Sequence, residues 1–342
     1  MLKSAEPTET IAIPEGPVME VDVDDVRYHP VVRSQIRLPT PAIRMAFDVL
    51  ANTALQRAPG CCFHAHPRFG KTSAIEVLMQ QLSHTFPEMP MYSISAVWHP
   101  RFSELVYMGE LLSGCSHVMS AAGKFEARRM RLLNFLWSQA KARGSDRIFM
   151  FIDEAQNWHE PQLTMLRDIA NDLALHHGVK LIAALFGAPE LAALRTSLIQ
   201  TGRTDLIGRF MIQLYDFRGI TSLHELATTM AYYDNAEVSE YPVMSGKCYS
   251  QYLLPQAYAS GWRLEHEAGR LWNEFRQSAQ ASGGLNQVGM LWVADSIRHF
   301  FLEQIEFDPP GLTGSTTSWA NAVALSGFRD SLGVTYYSGS RI

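Results

Sequence analysis

The residues Ala65-His66-Pro67-Arg68-Phe69-Gly70-Lys71-Thr72 constrain the fold most, because of what flanks them. An apolar run, Cys61-Cys62-Phe63, precedes them, and a helical pattern, Ser73-Ala74-Ile75-Glu76-Val77-Leu78, follows. A short buried strand, a tight loop ending Gly-Lys-Thr and an amphipathic helix together form a phosphate-binding loop. Successive backbone N–H groups and the helix N-terminus cradle phosphates, Lys71 reaches the terminal ones, and the Thr72 hydroxyl holds Mg2+. The expected nucleotide contacts are Ala65, His66, Pro67, Arg68, Phe69, Gly70, Lys71, Thr72 and Ser73. One position departs from the usual pattern, since Ala65 stands where the first glycine belongs. Alanine permits a tight loop at a cost in backbone freedom, so secure nucleotide binding and slow hydrolysis are expected. The plain alternative is an ordinary strand-to-helix turn with a surface lysine.

The second decisive stretch is Arg147-Ile148-Phe149-Met150-Phe151-Ile152-Asp153-Glu154. A continuous apolar run reads as a strand buried on both faces of a parallel sheet. It ends in two carboxylates, where such strands deliver functional groups to a nucleotide crevice. Asp153 is placed to hold the Mg2+ shell, in the Walker-B role, and Glu154 to orient or deprotonate the attacking water. An acidic helix cap after a core strand would explain this pair alone. The two motifs together demand one fold.

A chain of 342 residues suits one large domain with a smaller one. Its 47% hydrophobic and 18% charged residues fit a globular protein. The formal charge of −5 gives no sign of a strongly basic surface, so any nucleic-acid contact needs a local patch. Cys61, Cys62, Cys115 and Cys248 show no CxxC spacing and read as reduced core thiols. No apolar run approaches the roughly 18 residues of a membrane span, and the acidic N-terminus lacks a signal-peptide shape. A cytoplasmic location without membrane contact is expected.

Residues 1–28, with the acidic run Glu20 to Asp25, read as a mobile N-terminal arm. Thr40 before Pro41 suits the cap of a helix from Ala42 to Gln56. In many P-loop ATPases such a segment covers the adenine, although plain packing explains it equally. Strands are expected at Cys61–Phe63, Met91–Trp98, Arg147–Ile152, Val179–Gly187 and Met211–Leu214, alternating with helices. That alternation predicts an α/β fold, a doubly wound parallel sheet, over residues 29–217. Arginines just before the last strand are placed to reach a neighbouring subunit's γ-phosphate, Arg209 ahead of Arg203; surface ion pairs are the alternative. Residues 218–305 read as a smaller helical lid, with helices over Ser222–Tyr233, Gln251–Ala259, Leu264–Ala281 and Leu285–Glu303. Residues 306–342 read as a flexible C-terminal tail, with Trp319, Phe328, Tyr336 and Tyr337 as candidate docking anchors.

These motifs resemble the TnsC/TniB family of AAA+ transposition regulators. The resemblance rests on His29-Pro30, Leu38-Pro39-Thr40-Pro41, the loop 65–72, Ile152-Asp153-Glu154-Ala155-Gln156, Gly187-Ala188-Pro189-Glu190-Leu191 and Gly283-Gly284-Leu285. It implies an AAA+ P-loop NTPase with a helical lid, using ATP and Mg2+. It also implies a homo-oligomeric ring or helical filament on double-stranded DNA, gripped without regard to sequence. A target-selection protein of the TniQ/TnsD type would recruit it, and it would activate a transposase. Arg101, Lys124, Arg128, Arg129 and Arg131 are the densest basic group and flank the segment that would face the DNA, although a solvated helix face explains them too. No polar sensor-1 residue stands after the fourth strand, leaving Glu190 as a weak candidate. No sensor-2 arginine opens the last lid helix, leaving Asn286 or Gln287. A helicase loader of the same superfamily, or a nucleotide-gated scaffold with negligible turnover, are the competing readings.

Overall fold

The computed structural model describes residues 25–332. Its centre is a sheet of β1 (Gly60–His64), β2 (Met91–Ser95), β3 (Arg147–Asp153), β4 (Lys180–Gly187) and β5 (Leu214–Asp216). The order is β2-β3-β4-β1-β5 and every pairing is parallel. In β3 the side chains alternate between two cores. Phe149 and Phe151 join Phe63 and Phe186 on one face, against α1 (Pro41–Leu55) and α2 (Lys71–Thr85). Ile148, Met150 and Ile152 join Cys62 on the other. There they meet α3 (Glu104–Gly114), α4 (Phe125–Ala142), α5 (Glu160–His177), α6 (Glu190–Gln200) and α7 (Thr204–Phe210). This double burial is why the strand reads as an unbroken apolar run.

The expected doubly wound α/β fold is therefore present, with one strand displaced. β5 starts at Leu214 because Arg195 of α6 takes the carbonyls of Met211 and Ile212, at 2.8 and 3.0 Å. Pairing with β1 begins only at Cys62 opposite Leu214. All four cysteines are buried free thiols. Burial pushes the Cys61 and Cys115 thiols up to about 12, so neither is a nucleophile at neutral pH.

Beyond β5 the described chain is helical: α8 (Leu223–Ala231), α9 (Ala236–Ser239), α10 (Tyr249–Leu253), α11 (Pro255–Ala259), α12 (Ala268–Ala279), α13 (Met290–Gln304), α14 (Thr316–Leu325) and α15 (Phe328–Ser331). The helix expected over Gln251–Ala259 is two, broken at Leu254, which precedes Pro255 and leaves the α region. The last lid helix starts at Met290, not Leu285. Gly283 and Gly284 take left-handed φ of 93° and 97°, and Val288 then pairs antiparallel with Ile220. A Cβ at Gly219 would stand 2.3 Å from the Val288 carbonyl oxygen, so that pairing requires glycine.

The flexible tail expected over residues 306–342 is corrected as far as residue 332. Asp308 accepts from the Gln256 and Ala257 backbone N–H groups at 2.7 and 3.0 Å, capping α11. Trp319 stacks on Phe300 with ring centroids 4.1 Å apart. Its indole N–H donates at 3.0 Å to Glu267, a buried carboxylate that also accepts from Gly314, Trp262 and Arg270. Phe328 packs edge-on against Phe275 and Trp292. Polar text around a few aromatics conceals these contacts. Of the N-terminal arm, Asp25 caps a single 3-10 turn, Val26–Tyr28, while residues 1–24 lie outside the described residues, as do Tyr336 and Tyr337.

Candidate active site

β1 ends at His64 and delivers the chain into the loop at the C-terminal edge of the sheet. Ala65 is buried and its N–H donates to the Gly187 carbonyl at 3.0 Å, tying the loop to the end of β4. Its φ is not positive. The left-handed positions of the loop are Arg68, at φ 67°, and Gly70, at φ 86°. The cost expected from alanine at position 65 therefore does not arise, since that residue occupies a conformation open to any side chain. Arg68, not Ala65, carries the strained backbone.

Gly70 is the N-cap of α2, so the helix starts at Lys71. Lys71 is buried, its Nζ 3.4 Å from the Ala65 carbonyl, and thus folded back over the loop. Thr72 Oγ1 donates to Asp153 Oδ2 at 2.6 Å, and the other Asp153 oxygen accepts from the Glu154 N–H at 2.9 Å. A hydroxyl and a carboxylate oxygen at one point are hard ligands of the kind Mg2+ takes alongside water and phosphate oxygens. The donor set fits the ion.

Glu154 sits at φ 52° and ψ 37°, directly after β3. Its Oε2 accepts from Gln156 Nε2 at 2.5 Å, and Gln156 Oε1 in turn accepts from the Ala188 N–H at 2.8 Å. A Cβ at Gly187 would lie 2.9 Å from that Gln156 oxygen, so glycine makes room for the bridge. Gln156 thus joins the Glu154 carboxylate to the end of β4. Glu190 is exposed in the first turn of α6 and makes no such bond. The run Ile152-Asp153-Glu154-Ala155-Gln156 carries the signal: a side-chain amide two residues after the carboxylate, able to donate and accept at once.

The N-terminus of α13 closes over the loop. Leu291 N–H donates to the Arg68 carbonyl at 3.1 Å, and Phe69 packs where a Gly289 Cβ would stand. Gln287 accepts from Gly219 N–H at 2.9 Å, holding the hinge instead of facing phosphate, while Asn286 is exposed. Between α13, α2 and the segment 31–43 lies a cavity. Gly70 and Ser73 line it together with the apolar side chains of Val31, Ile36, Leu38, Ile43, Val77 and Phe217. A phosphate loop opening onto an apolar slot fits a nucleotide, base outward from the phosphates.

Arg209 lies elsewhere. Its carbonyl is 3.0 Å from where a Gly60 Cβ would stand, at the start of β1 and so at the opposite edge of the sheet from residues 65–72. Its guanidinium donates to Asn171 Oδ1 at 2.6 Å, and burial, with Arg167 nearby, lowers its pKa. Arg203 is held by Glu160, Thr164 and Asp205.

The fold engages the five basic residues expected at DNA in different ways. Arg128 donates to the carbonyls of Gly123, Leu105 and Ala121, and Arg131 to those of Met119 and Ala122. These bonds fasten the α3–α4 loop onto α4. Arg129 pairs with Asp172 of α5. Arg101 and Lys124 remain exposed, with no side-chain hydrogen bond among the described residues.

Residues 56–194 match the profile of a family described as an AAA domain. The fold is similar to that of the Aeropyrum pernix ORC2 protein. In its ADPNP–ADP complexes the identity is 12%, over 89% of this chain and 71% of that one, with a TM-score of 0.54. In its ADP form the identity is 13%, over 88% and 71%, with a TM-score of 0.50. No curated protein matches the sequence. The fold is that of an AAA+ P-loop protein. Among the described residues no helix is long and apolar enough to cross a membrane.

Proposed function

We propose that this AAA+ chain hydrolyses ATP with Mg2+, assembles as a homo-oligomer on double-stranded DNA, and regulates transposition. The observation that carries the catalytic half is the Thr72–Asp153 hydrogen bond of 2.6 Å, which brings the two metal-binding motifs to one point. The Aeropyrum pernix ORC2 protein carries ADPNP and ADP on a similar fold, which supports an adenine nucleotide here.

In this reading the loop N–H groups and Lys71 hold the β- and γ-phosphates. Thr72 and Asp153 would hold Mg2+, which would neutralise charge on those phosphates. Glu154 takes a proton from the attacking water, and Gln156 fixes where that carboxylate points. Arg209, at the far edge of the sheet from its own loop, serves a neighbouring subunit. The site is then complete only between subunits, which makes turnover depend on assembly.

The TnsC/TniB resemblance supports the transposition half. DNA contact falls to Arg101 and Lys124, with a target-selection protein and a transposase as partners. Steady-state ATPase with and without duplex DNA tests the proposal. DNA-stimulated turnover is expected; tight ATP binding without turnover in either condition would leave a scaffold. Stimulation of a transposase, as against loading of a hexameric helicase, separates the two regulatory readings.

A further inference from the structure

We infer that Asp295 of α13 is the residue that reads the nucleotide's ribose, accepting hydrogen bonds from its 2′- and 3′-hydroxyls. The inference rests on the nucleotide reading above and adds a specificity determinant to it. Leu291, Asp295 and Arg298, at i, i+4 and i+7, share one face of the helix. At one end of this stripe the Leu291 N–H is bonded to the Arg68 carbonyl of the phosphate loop. At the other, Arg298 Nε donates at 2.9 Å to the carbonyl of Val32, in the segment that lines the cavity. The stripe therefore runs about 10 Å from the phosphate loop to that segment. Asp295 lies between, roughly 6 Å along the helix from Leu291. A nucleotide with phosphates at Gly70 and its base against that segment sets its ribose at that level.

The chemistry fits the position. Asp295 lines the cavity and is partly buried, yet makes no hydrogen bond or ion pair among the described residues. Arg298 is the cation best placed to pair with it, and it is turned to Val32 instead. Burial raises the Asp295 carboxyl against the opposing pull of Arg298, His299 and Arg68, the behaviour of an acceptor still short of donors. The vicinal hydroxyls supply two donors together. A site built around such hydrogen bonds rejects the analogue that lacks them, because a half-buried carboxylate is left unsatisfied.

Affinities of the full-length protein for ATP, 2′-deoxy-ATP and 3′-deoxy-ATP test this. The wild type is expected to bind at least one deoxy analogue about tenfold more weakly than ATP. Asp295→Ala should weaken ATP to the level of that analogue while leaving the analogue's own affinity unchanged. Asp295→Asn, which keeps one acceptor oxygen, should restore part of the discrimination. Equal affinities in the wild type, or discrimination that survives Asp295→Ala, would overturn the inference, and the wild-type series decides even if a variant fails to fold. Failure of the wild type to bind ATP at all would refute the nucleotide reading itself.

Discussion

Gln156 donates from Nε2 to Glu154 Oε2 at 2.5 Å and accepts at Oε1 from the Ala188 N–H at 2.8 Å, so one side chain sets the Glu154 carboxylate against the end of β4. Gln156→Ala removes both bonds. It should lower kcat by about tenfold or more while leaving ATP affinity within about twofold, because Gln156 orients a base and touches no phosphate. An unchanged kcat would show that Glu154 holds its position unaided.

Glu154→Gln keeps the shape of the site and removes the base. Hydrolysis should fall by about a hundredfold or more, with ATP and DNA binding retained and long-lived assemblies on DNA. Turnover equal to the wild type would transfer the role elsewhere.

Arg209 and its own phosphate loop lie at opposite edges of the sheet. Arg209→Ala should lose assembly-stimulated hydrolysis, and mixing it with Lys71→Ala subunits should restore some interfaces. Mixtures that behave as independent monomers would exclude a role between subunits. Arg203→Ala should instead act locally through Glu160 and Asp205, by about 1 kcal/mol or less, since that network is largely exposed.

His29 is fully buried among Tyr241, Tyr249 and Tyr252, and joins the segment beside the cavity to the C-terminal helices. Its Nδ1 accepts from the Val31 N–H at 3.1 Å, and burial pushes its pKa from 6.5 down to about 3. The folded imidazole stays neutral where the unfolded one is protonated. Stability should therefore be full above pH 6.5 and decline as the pH falls from there toward 3. A pH series of denaturation midpoints on wild type and His29→Phe checks this; the same slope between pH 6.5 and 4 in both would remove His29 as its source.

Trp319 fixes a segment whose composition reads as mobile. Trp319→Ala removes the stack on Phe300 and one donor to buried Glu267, at a cost of about 3–5 kcal/mol. An unchanged denaturation midpoint would restore the flexible tail.

What was legible in the sequence follows from how local each signal is. The loop 65–72 and the run 147–154 carry their meaning in adjacent residues, so sheet, phosphate loop and paired carboxylates could be read directly. Gln156 has no periodicity to announce it; its role exists only because β4 ends beside β3. Arg128 and Arg131 read as free charge because their partners are backbone carbonyls, which any sequence supplies. The packing of residues 308–328 depends on Gln256, Glu267, Phe275 and Phe300, distant in the chain. Ala65 misled because the glycine pattern names a residue, whereas the backbone placed its left-handed positions at Arg68 and Gly70.

The central claim is that nucleotide binding at residues 65–73 drives assembly on DNA. Electron microscopy of the purified protein with duplex DNA and a non-hydrolysable ATP analogue tests it most directly. Rings or filaments enclosing DNA, absent without nucleotide and absent in Lys71→Ala, are the expected result. A protein that stays monomeric with DNA and saturating nucleotide would contradict it.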